Sequence, residues 1–140
     1  MHRIVQRRGG MVLAVWNGQK WHFAVHAGWV NGVETIIDHR LWHLVQSRTF
    51  EDFARGRQVI VVPLEGHRPY EEVFQAAWEV LKSPPEYNLW DSNCEHFATG
   101  CATGEPRSRQ AERAKKAIGE AAAFIACATL GLGVLKAILD

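Results

Sequence analysis

The sequence predicts one α+β domain in which an antiparallel β-sheet packs against helices. Strand patterns fill the first third of the chain, and helical patterns follow from about residue 70 onward. Strands first and helices later are typical of this class, whereas a parallel sheet alternates the two. The 140 residues, of which 47% are hydrophobic, suffice for one ordinary hydrophobic core.

The strands are predicted by short apolar, β-branched segments that end at turn residues. Asn31-Gly32 is the strongest hairpin signal in the chain, because a two-residue turn of this composition tolerates the left-handed backbone of a tight hairpin. The four predicted strands are Met11–Trp16, Trp21–Trp29, Val33–His39 and Gln58–Pro63. The Asn31-Gly32 turn joins the second of these strands to the third.

The helices are predicted by apolar spacing and by caps. Phe50 and Phe53 indicate a short helix or turn within Ser47–Gly56, and an apolar stripe predicts a helix over Tyr70–Lys82 that ends before Pro84-Pro85. Ser92 and Glu95 fit the capping-box pattern S-x-x-E, so a further helix is expected to begin there. It runs to about Ala102, where Gly104 and Pro106 are stop signals.

Cys94 would lie in the first turn of that last helix. Unpaired backbone N–H groups and the positive end of the helix dipole meet there, which stabilises a thiolate and offers donors for an oxyanion. The position therefore favours a nucleophile, although a small buried apolar residue after a cap explains it equally well. Cys101 lies two turns further on and is expected in the core, and Cys127 is interpreted as structural or lipid-facing.

Charge, cysteine content and histidine spacing indicate which partners, cellular compartment and cofactors to expect. A net charge of +1 gives no reason to expect a nucleic-acid partner. Three cysteines without a C-x-x-C pair argue against a disulfide framework and favour an intracellular, cytoplasmic setting. The first ten residues are basic and polar, unlike a secretory signal. The histidines lack the spacing of a zinc site, so neither a metal nor another cofactor is expected.

A thiol nucleophile needs an imidazole within hydrogen-bonding reach, usually with a third group that orients the ring. If Val30 pairs with Val33 and the hairpin is regular, Ala24 pairs with His39, and His22 and His39 share one face as diagonal neighbours. His26 and His43 fall on the same face by this count. One β-bulge in the hairpin would reverse the result.

The segment Asn93-Cys94-Glu95-His96-Phe97 resembles the NCEHF signature of the lecithin:retinol acyltransferase (LRAT) domain family. Upstream, Trp21-His22-Phe23-Ala24-Val25-His26-Ala27-Gly28 is similar to the histidine strand of that family. Gly10-Met11-Val12 and Tyr87-Asn88-Leu89 also match. The resemblance covers about residues 9–110.

The resemblance implies a circularly permuted papain-like fold of the NlpC type, and acyl transfer through a cysteine thioester. Carried over to this chain, Cys94 is the nucleophile, His22 the general base, and His39 the second histidine that orients His22. The interval from His22 to His39 is longer than in the compact family pattern, so His43 is the alternative.

The carboxyl end has a separate character. Basic residues dominate 105–116, and 117–139 is apolar with Glu120 and Lys136 as its charged residues. We therefore predict a catalytic domain over 1–110 and a basic, then apolar, helix over 111–140. Twenty-three residues are long enough to span a bilayer, but alanine, Gly131 and Gly133 also fit a buried or interfacial helix. The basic segment before this stretch would favour an anionic membrane surface, whether the helix spans the bilayer or lies at its interface.

Three functions are compatible with these residues. The first is a thiol acyltransferase or phospholipase-like acyl hydrolase that acts on an acyl lipid or another acyl donor. The second is a cysteine peptidase or amidase of the same fold, because thiol, imidazole and oxyanion donors suit an amide equally. The third is a non-catalytic, membrane-associated binding module. The sequence leaves the donor, the acceptor and the oligomeric state open.

Overall fold

A computed structural model describes residues 6–86 and 93–109 of the chain, together with residues 112 and 116. Its elements confirm the predicted α+β class and the antiparallel sheet. In chain order they are β1 (Val12–Trp16), β2 (Trp21–Val30), β3 (Val33–Asp38), β4 (Gln46–Thr49), α1 (Phe50–Ala54), β5 (Val59–Val61), α2 (Tyr70–Val80) and α3 (Cys94–Thr103).

The five strands form one sheet in the order β4-β3-β2-β1-β5, and every neighbouring pair is antiparallel. The sheet is covered on both faces, so its central strands are apolar on both sides. One core packs Val12, Val25 and Ile37 against α2 and α3. The other packs Leu13 and Ala24 with Phe53 of α1.

The hairpin of β2 and β3 carries the candidate site, and its turn forms as predicted. Asn31 and Gly32 both adopt positive φ angles, 51° and 79°, as a tight two-residue turn between twisted strands requires. Val30 pairs with Val33 on either side of the turn.

A β-bulge then changes the register of this hairpin. Ala27 and Gly28 together lie opposite Thr35, and Gly28 has a φ of 77°, which glycine adopts without strain. Beyond the bulge Ala24 pairs with Asp38, not with His39. The regular pairing expected from the sequence is therefore wrong by one residue, and Asp38 takes the face that had been expected for His39.

The predicted C-terminal helix over 117–139 lies outside the described residues, and the proposed boundary at residue 110 stays a prediction. Within the ranges given above, no helix combines the length and the apolar character needed to cross a membrane. The circular permutation also stays a prediction.

Candidate active site

Cys94 is the first residue of α3, and its helix start is built by the neighbouring asparagine. The Asn93 side-chain oxygen accepts hydrogen bonds from the backbone N–H groups of Glu95 and His96, both at 3.0 Å. The His96 ring accepts from the Asn93 backbone N–H at 3.3 Å and completes the capping box. The predicted Ser92–Glu95 box is therefore wrong by one residue, because Asn93 is the N-cap and the His96 ring takes the place of the acid at the third helical position.

The Cys94 side chain is almost fully buried and interacts with the imidazole of His22, which lies near the start of β2. The Nε2 atom of that ring lies 2.8 Å from Oδ2 of Asp38. Because Asp38 occupies Nε2, Nδ1 is the ring nitrogen left for the sulfur. Cys94, His22 and Asp38 thus lie in one continuous series, in the order that a nucleophile, a base and an orienting acid would take.

Electrostatics favour the charged forms of the thiol and the imidazole. Burial opposes ionisation of Cys94, but the hydrogen bond and charge of His22, the charge of Lys20 and the backbone N–H of Phe23 together lower the pKa of this thiol. Burial likewise opposes protonation of His22, yet Asp38 and Cys94 raise the pKa of the ring to about 9. The arrangement therefore supports a thiolate–imidazolium pair at neutral pH.

Asp38 is held by a second partner across the sheet. The Arg48 guanidinium, on β4, donates from Nη2 to Oδ2 of Asp38 at 2.6 Å and from Nε to both carboxylate oxygens at 3.1 Å. The Asp38 side chain is fully buried, which disfavours its charge, but His22 and Arg48 outweigh this and lower its pKa. Asp38 therefore remains a carboxylate that keeps His22 oriented and protonated.

The sequence interpretation missed Asp38, Arg48 and Lys20. The family resemblance implies a histidine as the third residue, whereas an acid at the end of the strand opposite His22 can orient the ring equally well. Gly28 was the available signal, because an isolated glycine inside a strand often marks a bulge.

The structure brings Cys94 and His22 together, whereas His39 has a different environment. His39 is buried immediately after β3, and its described surroundings include the backbone of His43 and the charge of Asp38. Burial lowers its pKa. His43 is exposed in the following turn. The register that suggested His39 is wrong, while a catalytic role for His39 stays a prediction that no contact tests.

A second histidine cluster lies further along the same hairpin. His26 Nε2 is 2.8 Å from Glu34 Oε2, and Arg7 binds the two Glu34 oxygens at 2.7 and 2.8 Å. The other ring nitrogen, Nδ1, accepts the N–H of Gly28 at 3.1 Å. Both nitrogens of His26 are thus engaged within the hairpin, and its second bond is made to the bulge itself.

Cys101 occupies the same helix as Cys94 but has the opposite character. It packs in the core with α2, as expected, and burial raises the pKa of its thiol to about 12. The nearby Arg68 charge opposes that rise only in part. Of these two cysteines, only Cys94 is placed for nucleophilic chemistry.

No metal centre competes with this assignment in the part of the chain that the structure describes. There, no three side chains of histidine, cysteine, aspartate or glutamate are grouped so that they could hold an ion.

Comparison with known families agrees with this geometry. A family model described as lecithin retinol acyltransferase matches residues 13–107, a range that contains His22, Asp38 and Cys94. The chain belongs to the lecithin retinol acyltransferase family. The resemblance first suggested by the cysteine motif is thereby confirmed.

Individual members of this family show the extent of the similarity. Lecithin retinol acyltransferase from Bos taurus is 40% identical over 93 residues, which are 60% of this chain and 40% of that protein. Phospholipase A and acyltransferase 4 from Homo sapiens is 38% identical over 57 residues, which are 41% of this chain and 35% of that protein. The chain thus spans well under half the length of these relatives. Their names support an acyltransferase or phospholipase-like enzyme.

Proposed function

We propose that this LRAT-family chain is a cysteine-dependent acyltransferase or acyl hydrolase that takes an acyl group from a lipid ester through a Cys94 thioester. The observation that carries this proposal is the electrostatic pairing of His22 with Cys94 at the buried first residue of α3, together with the 2.8 Å contact that joins His22 to Asp38. A thiolate paired with an imidazolium is the reactive form of cysteine acyl-transfer enzymes.

In the first half-reaction the Cys94 sulfur attacks the ester carbonyl carbon, and the C–O double-bond electrons move to the oxygen. The amides of Glu95 and His96 are occupied by Asn93. The Cys94 N–H is therefore the helix-terminal donor that we assign to the oxyanion. The tetrahedral intermediate then breaks its C–O bond, and the His22 imidazolium donates a proton to the departing alcohol.

In the second half-reaction neutral His22 removes a proton from water or from an acceptor nucleophile. That nucleophile attacks the thioester carbonyl, the C–S bond breaks, and the thiolate–imidazolium pair is restored. Asp38 keeps the ring in the orientation that serves both steps. The acceptor decides between transfer and hydrolysis.

The test is acylation of the intact protein by an activated ester, p-nitrophenyl butyrate, followed by intact mass and peptide mapping. We expect one butyryl group on Cys94, no adduct in Cys94→Ser, and an unchanged adduct in the matched control Cys101→Ala. An adduct mapped elsewhere, or none at all, would refute the proposal.

Phospholipid and peptide substrates assayed in parallel separate the lipid activity from the peptidase or amidase alternative. Turnover of the phospholipid ester is the expected result. Cleavage of peptide or isopeptide bonds alone would overturn the lipid assignment while leaving the Cys94 mechanism in place.

We also propose that segment 111–140 serves as a membrane attachment, and that the protein works in a reducing, cytoplasmic compartment. Support for attachment comes from the basic residues that precede the apolar stretch, and support for the compartment from the free thiols of Cys94 and Cys101. Vesicle flotation of the full chain, against a chain that ends at residue 110, tests the first. Equal flotation of both would contradict it.

A further inference from the structure

A cleft of about 630 Å³ opens beside His22, on the side where Asp38 and Arg48 lie. Its walls come from the β1–β2 turn, the segment after β3, and α1 with the turn that follows it. Besides His22 and Phe53, these walls expose a set of polar and basic side chains to the cleft, including Arg40, Arg48, Arg55, Arg57, Asp52 and Gln19.

The charge of this cleft differs from that of the chain, whose net charge is only +1. Arg48 is neutralised by Asp38. Arg40, Arg55 and Arg57 make no ion pair with any carboxylate of the described residues. Asp52 is the one acid among the cleft residues that the structure describes. An excess of guanidinium charge therefore faces the space next to the base.

Local hydrogen bonds hold two of these arginines, Arg57 and Arg55, in defined positions. Arg57 donates from Nε to the Ala54 carbonyl at 3.2 Å and from Nη1 to the Trp16 carbonyl at 3.4 Å. Arg55 terminates α1 in a left-handed conformation, φ 48°, with its N–H bonded to the Glu51 carbonyl at 2.8 Å. A non-glycine residue at such an angle is uncommon, so the backbone here is closely specified.

We propose that this arginine cleft is the subsite for a phosphate diester of net negative charge, carried by the acyl donor beside its ester. This proposal rests on the proposed function in one respect, namely that the bound molecule is the acyl donor of the Cys94 reaction. Guanidinium groups bind phosphate oxygens with charge-assisted, often bidentate, hydrogen bonds. A headgroup that adds a fixed cation beside the phosphate would meet like charge in the same cleft, so anionic donors bind better than zwitterionic ones.

Binding is measured on Cys94→Ala, which cannot turn over, with two lipids held below their micelle concentration. These are dihexanoyl-phosphatidylglycerol and dihexanoyl-phosphatidylcholine, which share acyl chains and differ in headgroup charge. We expect the anionic lipid to bind about three- to tenfold more tightly, the range that a few exposed or half-exposed charge contacts supply. Equal affinities would overturn the proposal.

Two further variants locate the effect in the cleft. Arg40→Gln removes one charge, and Arg55→Asn removes another with a residue that tolerates the left-handed backbone. Each is expected to weaken binding of the anionic lipid about threefold or more, with little change for the zwitterionic lipid. Lys82→Gln, an exposed cation at the end of α2 outside the cleft, is the charge-matched control and leaves both affinities unchanged. An equal loss in Lys82→Gln would show a general charge effect and refute the subsite.

Comparing soluble ligands with lipid in vesicles distinguishes a site for the phosphate group from attraction to a charged membrane surface. Monomeric lipid or inorganic phosphate that competes at the cleft supports a site for the group itself. Binding that appears only on phosphatidylglycerol vesicles, and is insensitive to Arg40→Gln, reflects surface attraction and overturns the subsite. These measurements need no turnover, so a failure of Cys94 acylation and a failure of the cleft are separate results.

Discussion

Two clusters on the hairpin of β2 and β3 combine the same three groups, an imidazole and a carboxylate from the hairpin and a guanidinium from outside it. In one, His22 binds Asp38, which binds Arg48; in the other, His26 binds Glu34, which binds Arg7. The difference lies at the remaining nitrogen of each ring. That of His22 faces the Cys94 thiol, whereas that of His26 accepts the Gly28 N–H of the bulge.

This comparison shows that a polarised histidine is not by itself a catalytic base. Both rings are oriented by an acid, but only His22 retains a nitrogen for a nucleophile. His26 instead secures the bulge that sets the register beyond it. The second cluster is therefore structural, and it supports the bulge that brings Asp38 to His22.

The largest expected difference follows from removing each carboxylate. Asp38→Asn is expected to lower kcat/KM for an ester on the order of 10²- to 10⁴-fold, because the amide no longer holds the ring in the productive tautomer and charge state. Glu34→Gln is expected to keep kcat/KM within a few-fold and to lower the free energy of unfolding by about 1–2 kcal/mol. Steady-state kinetics and urea unfolding measure the two effects, and equal activity losses would erase the distinction.

The two clusters should also differ in how they affect the pH dependence of activity. The lowered pKa of Cys94 keeps its thiolate present below the ordinary range of a thiol, and the imidazolium of His22 is lost as pH rises through about 9. We expect activity on an alkyl ester, whose leaving group needs a proton, to rise through the lowered thiol pKa and fall above about 9.

Asp38→Asn should move that upper limb to lower pH, since the Asp38 hydrogen bond raises the pKa of His22. Glu34→Gln is the control that leaves the limb in place. A limb that stays at the same pH in Asp38→Asn would show that another group is titrating.

The smallest expected difference comes from the arginines. Arg48→Met removes the guanidinium that binds Asp38 but leaves the contact between Asp38 and His22 in place. We expect about a three- to tenfold loss in kcat/KM, because Asp38 is then held by one partner instead of two. Arg7→Met disturbs a more exposed pair, with the Arg7 side chain 40% accessible, and should cost about 1 kcal/mol of stability or less with activity retained. A larger activity loss in Arg7→Met than in Arg48→Met would contradict the assignment.

Most of the fold could be predicted because local signals specify it. The Asn31-Gly32 turn, the apolar strands, the stripe of α2 and the Gly104 stop are all confirmed. Strand β4 was missed because Gln46–Thr49 is a short polar edge strand with no hydrophobic alternation to mark it.

The site was predicted less completely than the fold. A cap and a motif placed Cys94, and the histidine strand placed His22, since these signals lie close to the residues in sequence. Asp38 depended on the register across a bulge, and Arg48 on an edge strand that carried no signal. Side chains that meet through long-range pairing are the part that local pattern does not determine.

The bulge has a consequence for how members of such a family are aligned. Because Ala27 and Gly28 share one partner, the interval from His22 to its ring partner includes one residue that adds no length to the ladder. Deleting Gly28 would restore even pairing and leave Asp38 beside His22, whereas a hairpin that kept Gly28 but paired it regularly would bring His39 to that position. The presence or absence of this one bulge thus decides whether an acid or an imidazole supports His22, so the sequence interval is a poor guide to the third residue.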